Sequence, residues 1–144
     1  MATITSANSV FQIAFTDLYP VAQKLQGYAA DDAFVAEAID MAEVVMGVDG
    51  HMSAGFVFAP VPQTITIMPD SPSLEIFETV MNATQTAREV YRSNATIILP
   101  AIGRKYSLKN GVLTRAPQMP GVRKTLQPVA FTITWEKITS EVYQ

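Results

Sequence analysis

Apolar side chains recur at every second position in several short segments of the chain. The alternation is clear in Phe11–Phe15, in Thr64–Ile67 and in Phe131–Trp135, where phenylalanine, isoleucine or tryptophan alternates with smaller or polar residues. A period of two is typical of a strand with one buried face. Thr96–Leu99 and Lys105–Leu108 add further segments rich in β-branched or aromatic residues, which favour strands. The pattern therefore predicts a mainly β chain.

Two glycine-containing segments indicate turns. Asn110-Gly111 tolerates positive φ at both central positions of a type I′ turn, so we expect a hairpin that joins about 104–109 to 112–116. Gly47-Val48-Asp49-Gly50 separates the apolar residues 44–46 from the strand-like residues 55–58 and predicts a second turn.

A single segment has a helical period. From Leu74 to Tyr91 the large apolar residues fall on one helical face, so we expect one packed α-helix at about residues 73–92. Ser71 is a plausible N-cap, with Pro72 at the first helical position. Residues 29–43 are ambiguous because alanines and acids also permit a helix, and we favour extended chain. Together the two periods predict that the core contains Phe11, Ile13, Ile65, Ile67, Phe77, Val80, Phe131, Ile133 and Trp135.

Charge is distributed unevenly along the chain. Residues 1–87 contain ten acidic side chains and one basic one, whereas residues 88–144 contain nine basic and three acidic ones. The basic residues are dispersed and do not form the dense Lys/Arg run of a nucleic-acid patch. Two solvated faces of a monomer would explain the asymmetry as well as a charged interface would.

Candidate chemistry is sparse. The chain has no cysteine, and His51 is its only histidine, so thiolate ligands and multi-histidine sites are excluded. Asp49 and His51 resemble a ligand pair, but a glycine turn explains them better. Gly103-Arg104-Lys105 lacks the glycine-rich loop and following helix of a phosphate site, so a strand start is favoured. We therefore expect no enzyme activity, metal or cofactor.

The sequence shows neither a recognisable secretory signal nor a membrane-spanning segment. No apolar run approaches the ~20 residues of a membrane span, so we expect no membrane binding by the subunit itself. The first residues lack the basic and apolar regions of a secretory signal, and we expect synthesis in the cytosol.

The order of turn, cap and strand residues resembles the tail tube proteins of contractile-tailed bacteriophages, a small family of phage structural proteins. The segments that carry the resemblance are Gly47-Val-Asp-Gly-His51 with Ser53 and Gly55, Pro62-Gln-Thr-Ile65, Asp70-Ser-Pro-Ser73, Leu99-Pro-Ala-Ile-Gly-Arg-Lys-Tyr106, Asn110-Gly111, Leu126-Gln-Pro128 and Phe131-Thr-Ile-Thr-Trp-Glu136. The match runs from about residue 3 to 137. We interpret 1–144 as one tail-tube domain, with 138–144 as a possible C-terminal tail.

The resemblance implies a tail-tube-like β-barrel or sandwich with one helix packed outside and long hairpin loops. Six such subunits join their sheets into a ring, and rings stack head to tail into a hollow tube for DNA ejection. The implied partners are further copies of the chain, the tail sheath, and baseplate or tail-terminator proteins, with DNA as a non-specific passing cargo. The implied location is the virion tail, with the host cytoplasm before assembly.

The charged residues supply the candidate assembly sites. A cationic lumen would bind DNA phosphates and retard their passage, so we expect acids at the lumen or at ring-stacking surfaces. The acidic candidates are Asp31, Asp32, Glu37, Asp40, Glu43 and Asp49. The same acids could form a cluster that binds a cation, although solvated or lumen-facing charges explain them better. The basic candidates for stacking or sheath-facing surfaces are Arg88, Arg92, Arg104, Lys105, Arg115, Arg123 and Lys124.

Two other functions remain compatible with the sequence. One is the tube protein of a contractile injection system, which shares the architecture and carries effectors instead of DNA. The other is a monomeric small β-barrel that binds an apolar ligand in a closed cavity.

Overall fold

The computed structural model describes residues 9–16, 18–25, 34–117, 119 and 122–143. In this part of the chain ten strands and one helix are found, which confirms the mainly β prediction. The strands are β1 (Val10–Phe15), β2 (Tyr19–Lys24), β3 (Phe34–Ala36), β4 (Ala42–Met46), β5 (Met52–Phe56), β6 (Val61–Ile67), β7 (Ser93–Leu99), β8 (Arg104–Arg115), β9 (Val129–Trp135) and β10 (Lys137–Val142), and the helix is α1 (Leu74–Ala87).

Eight of the strands form one antiparallel sheet, and seven of them follow one another in a continuous path. Its order is β2-β1-β7-β8-β9-β6-β3, with β10 also paired to β8, and the path stays open between β2 and β3 in the described residues. The path folds back on itself. This is shown by the contact between Phe11 in β1 and Phe34 in β3, whose rings meet edge to face with centroids 5.3 Å apart. The result is a sandwich of two sheets that share β8. We call β2-β1-β7-β8-β10 the first sheet and β8-β9-β6-β3 the second sheet.

The long strand β8 overturns the predicted hairpin at Asn110-Gly111. The chain does not reverse there, and β8 runs without interruption from Arg104 to Arg115. Asn110 does adopt the positive φ that the motif predicts, at 51°. One extra residue of β8 lies between its pairings with β7, where Leu108 opposes Ala95 and Gly111 opposes Ser93. The motif therefore forms a bulge that lets one strand belong to two sheets.

The helix begins at about the predicted residue, with a different N-cap, and ends earlier than predicted. Ser73, and not Ser71, is the residue that precedes its first turn, so Pro72 lies outside the helix; the Ser73 N–H donates to the Ser71 hydroxyl at 3.1 Å. At the other end Arg88 adopts a left-handed conformation with φ 57°, and its N–H donates to the Thr84 carbonyl. That conformation ends an α-helix. The helix therefore stops before Arg92.

The predicted core is confirmed. All nine predicted residues are buried, and the core also includes Phe15, Leu25, Ile76, Ala95, Ile97, Leu108 and Val129. The helix contributes Phe77, whose ring stacks on that of Phe131 in β9 with centroids 4.6 Å apart and planes 13° apart. The core also contains a buried polar pair, in which the Trp135 Nε1–H donates to the Gln63 side-chain oxygen at 3.0 Å. The alternating strand residues thus pack between the two sheets and the helix.

The C-terminal residues and the ambiguous acidic segment both contain strands. Residues 137–142, which include most of the possible tail at 138–144, form β10 and pair with the first half of β8, with Lys137 opposite Lys109 and Val142 opposite Arg104. Between residues 34 and 43, β3 and the start of β4 are extended, as the sequence favoured. Residues 29–33 lie outside the described residues.

Candidate assembly surfaces

A two-stranded hairpin projects from the sandwich as a separate sheet. It consists of β4 and β5, which pair with each other in register from Ala42–Phe56 to Met46–Met52. Every residue of both strands is solvent-exposed. We call this hairpin the arm. An element with no buried side chain gains little from packing on its own subunit.

The turn of the arm is built as the sequence predicts. The Gly47 N–H donates to the His51 carbonyl at 2.8 Å, and the Gly50 N–H donates to the Gly47 carbonyl at 3.0 Å. Gly50 has φ 88°, a conformation that favours glycine. The Asp49 carboxylate accepts a hydrogen bond from the His51 N–H at 3.1 Å, so these two residues serve the turn. No group of three or more His, Cys, Asp or Glu in the described residues could hold a metal ion.

The two faces of the arm differ in polarity. Because side chains alternate along a strand, register partners share a face. One face carries only apolar side chains, which we call the apolar face: Ala42, Val44, Met46, Met52, Ala54 and Phe56. The opposite face carries Glu43, Val45, Ser53 and Gly55. Phe58 continues the apolar face, with its ring 4.8 Å from that of Phe56 and nearly perpendicular to it.

The apolar face is highly exposed. The exposed fractions are 60% for Val44, 67% for Met46, 64% for Met52 and 70% for Phe56. Single exposed apolar residues are normal on protein surfaces, but a contiguous exposed patch marks an interaction site. The sequence showed the apolar residues 44–46 without showing this face, which depends on the pairing of Met46 with Met52 across the turn.

The acidic candidates within the described residues lie on or next to the arm. Glu43 is on the polar face, Asp49 is in the turn, and Glu37 and Asp40 lie between β3 and β4; all four are exposed. The Glu37 N–H donates to the Pro62 carbonyl at 2.9 Å, which joins this segment to the sandwich. Asp31 and Asp32 lie outside the described residues.

The basic candidates are scattered over the body of the subunit. Arg88 and Arg92 follow the helix, and the Arg92 carbonyl accepts from the Thr16 N–H at 3.0 Å and from its hydroxyl at 3.1 Å. Arg104 and Lys105 begin β8, where Lys105 Nζ lies 3.6 Å from a carboxylate oxygen of Glu141. The remaining three are Arg115 at the end of β8, and Arg123 and Lys124 in the loop before β9. The fold does not bring these residues into one patch.

Strand edges form the second kind of candidate surface. β2 and β3 are the terminal strands of the described path, and β10 pairs only with β8 in the described residues. Each of these strands presents one edge of backbone N–H and C=O groups that can pair with another chain. In the described residues no helix is long and apolar enough to cross a membrane.

Comparison with solved structures defines the class of fold. A chain from the cryo-EM structure of the anti-feeding prophage tube-terminating cap has a TM-score of 0.61 at 11% identity, covering 99% of this chain and 93% of that chain. A chain from the anti-feeding prophage baseplate has a TM-score of 0.59 at 11% identity, covering 100% of this chain and 99% of that chain. A chain from the extended sheath-tube complex of an extracellular contractile injection system has a TM-score of 0.59 at 12% identity, covering 92% of this chain and 88% of that chain. The fold is thus shared with chains of contractile injection assemblies.

The family follows from the sequence itself. The family described as tail fiber protein gp32 matches residues 2–139, so the chain belongs to that family. No curated protein matches the sequence significantly. By its family the chain is a phage tail structural protein and not an enzyme. This agrees with the resemblance to phage tail structural proteins.

Proposed function

We propose that the chain is the tube subunit of a phage tail. Six copies join into a ring, and rings stack head to tail into a hollow tube through which DNA leaves the capsid. In this proposal residues 1–144 act as one tail-tube domain. The observation that carries it is the exposed apolar face of the arm, on a fold that resembles chains of contractile injection assemblies. Such a face is an aggregation liability unless a partner covers it.

The strand edges and the arm have separate roles in this assembly. Pairing of the open edges of β2, β3 or β10 between neighbouring copies would continue the sheet around a ring. The arm projects beyond the sandwich and would bury its apolar face on a subunit of the next ring. A contact between two different surfaces of the same chain does not close on itself and generates a filament.

Charge supplies polarity to the stack. Glu37, Asp40, Glu43 and Asp49 lie on or beside the arm, while the basic candidates lie on the body. Head-to-tail stacking brings opposite charges together, whereas head-to-head stacking would oppose like charges. Complementary charges fix orientation and register more than affinity. The sheath, baseplate and terminator proteins are the further partners in this proposal.

A tube of a contractile injection system is the second candidate. It is favoured by the similarity to chains from the anti-feeding prophage and from the extracellular injection system. Such a tube would carry effectors and would belong to particles without a DNA-filled capsid. Electron microscopy of particles from the producing cells separates the two candidates.

The arm is tested by two neighbouring substitutions with the same chemistry. Val44→Lys places a charge on the apolar face, and Val45→Lys places the same charge on the opposite face; Val44 is 60% exposed and Val45 69%. Both variants should melt within a few degrees of the wild type, because neither side chain is buried. Val44→Lys should abolish tubes in negative-stain micrographs, and Val45→Lys should retain them.

Three results would refute the proposal. A wild-type protein that stays monomeric in analytical ultracentrifugation at all concentrations and salts would exclude self-assembly of the subunit. Normal tubes from Val44→Lys would show that the apolar face has no part in stacking. A wild type that forms rings but never tubes would indicate a terminator and not a tube subunit.

A further inference from the structure

The two sheets have outer faces of different chemistry. In the first sheet, the positions that alternate with the core residues lie on the outer face. They include Lys24, Lys105, Lys109, Lys137 and Glu141. We call this the lysine face. In the second sheet the corresponding positions are occupied by Thr64, Thr66, Thr132 and Thr134, with Pro62 and Ala130 beside them. We call this the threonine face.

The lysine face concentrates positive charge. Lys109 and Lys137 are direct register partners on neighbouring strands. Like charges in that position destabilise a sheet pair. Lys105 lies opposite Glu141, with 3.6 Å between Nζ and the carboxylate oxygen, so one of the four lysines is neutralised within the subunit. This face is therefore suited to an acidic partner or to bulk water.

The threonine face is almost uncharged and is internally ordered. The Thr114 hydroxyl donates to the Thr132 carbonyl at 3.2 Å and lies 3.1 Å from the Thr134 hydroxyl. An open groove of about 750 Å³ follows this face, lined by Thr64, Thr114, Ala130, Thr132 and the end of β8. Arg115, the last residue of β8, is the one charged residue among the described residues that line it. Threonine is β-branched and has few rotamers, so the surface is stiff as well as neutral.

We propose that the threonine face lines the channel of the tube and faces the water around passing duplex DNA, with the lysine face directed outward. This inference rests on the proposed tube function. Each lysine–phosphate contact releases counterions and strengthens DNA binding in a salt-dependent way. A channel that repeated the lysine face six times per ring would hold DNA. A wall of hydroxyl groups exchanges hydrogen bonds with water and has no long-range attraction for phosphate.

The assignment changes the expected role of the acidic candidates. The sequence predicts these acids at the lumen or at ring-stacking surfaces, and Glu43 and Asp49 lie on the arm and not on either sheet face. In this arrangement the acids serve ring stacking, and Arg115 is the one charged residue that the described residues place on the groove of the threonine face.

The first test uses cysteine labelling, since the chain has no cysteine of its own. Thr132→Cys places a thiol on the threonine face, and Ser107→Cys places one on the lysine face; both parent residues are half-buried and lie in strands. Tubes of each variant, first verified by electron microscopy, are treated with N-ethylmaleimide or with a maleimide coupled to a folded protein too large for the channel.

We expect Thr132→Cys tubes to react with the small reagent and to react at least tenfold more slowly than monomers with the large one. Ser107→Cys tubes should react with both reagents at the rates of monomers. The assignment would be overturned if the large reagent reacted freely with Thr132→Cys tubes and slowly with Ser107→Cys tubes. It would also be overturned if the Thr132→Cys thiol in tubes reacted with neither reagent. Absence of tubes would refute the proposed function before any labelling.

A second test measures DNA retention. Tubes of Thr132→Lys and Ser107→Lys are formed with short duplex DNA at low salt and treated with nuclease. Thr132→Lys tubes should protect DNA and release it as salt is raised, because the added charges face the channel. Ser107→Lys tubes should leave any bound DNA open to digestion. Protection by Ser107→Lys but not by Thr132→Lys would overturn the proposal.

Discussion

Gly111 is the position where one added methyl group tests the two-sheet architecture most directly. A Cβ atom built there would lie 2.3 and 2.4 Å from two ring carbons of Trp135 and 2.9 Å from Cγ2 of Ile133. Real carbon atoms do not approach so closely, so Gly111→Ala must displace a fully buried tryptophan. The Trp135 Nε1–H donates to Gln63 at 3.0 Å, and a shift of the ring strains this bond.

The change in the free energy of unfolding caused by Gly111→Ala has two destabilising terms and one stabilising term. Overpacking of a core costs about 1–3 kcal/mol, and a weakened buried hydrogen bond adds about 0.5–1.5 kcal/mol. Replacing glycine by alanine stabilises by about 0.4–1 kcal/mol through the unfolded chain. The net destabilisation of Gly111→Ala is about 2 kcal/mol. For a domain of this size that corresponds to a fall of about 4–8 °C in Tm.

The matched control is Gly55→Ala in the arm, where an added Cβ meets nothing within 4 Å. Thermal melts by circular dichroism, at a concentration where the protein is monomeric, should show Gly55→Ala at or slightly above the wild type. Combining Gly111→Ala with Trp135→Phe should cost less than the sum of the single changes, since the smaller ring vacates the contested space. The reasoning fails if Gly111→Ala melts no lower than Gly55→Ala.

Three further predictions concern the core and the arm. Phe77→Ala should lower the free energy of unfolding by about 3–5 kcal/mol, because it removes the ring stacked on Phe131; an unchanged urea midpoint would show that the helix does not pack through this ring. Peroxide should convert the exposed register partners Met46 and Met52 to sulfoxides and stop tube growth, whereas the double variant with leucine at both positions should assemble after the same treatment. Raising salt from 0.1 to 1 M should shorten tubes while rings persist, because the Debye length falls from about 10 to 3 Å. Glu43→Lys should shorten tubes at low salt. Tubes that lengthen with salt would contradict the charge argument.

The sequence by itself determined the elements whose signal is local. Alternation in Phe11–Phe15 and Phe131–Trp135 predicts strands with one buried face, and these residues are buried. The apolar face of the helix and the glycine turn at 47–50 follow in the same way from period and backbone preference. These features depend on residues a few positions apart, so composition and spacing suffice to predict them.

Only the tertiary structure decided how the strands combine. Asn110-Gly111 has the local signal of a hairpin turn, but β7, β9 and β10 all pair with β8 and keep it extended, and Gly111 is needed where Trp135 approaches from β9. The apolar face of the arm and the contrast between the lysine and threonine faces likewise depend on register, which sets which side chains share a face. Register is fixed by partners that are distant in sequence, and no local pattern records them.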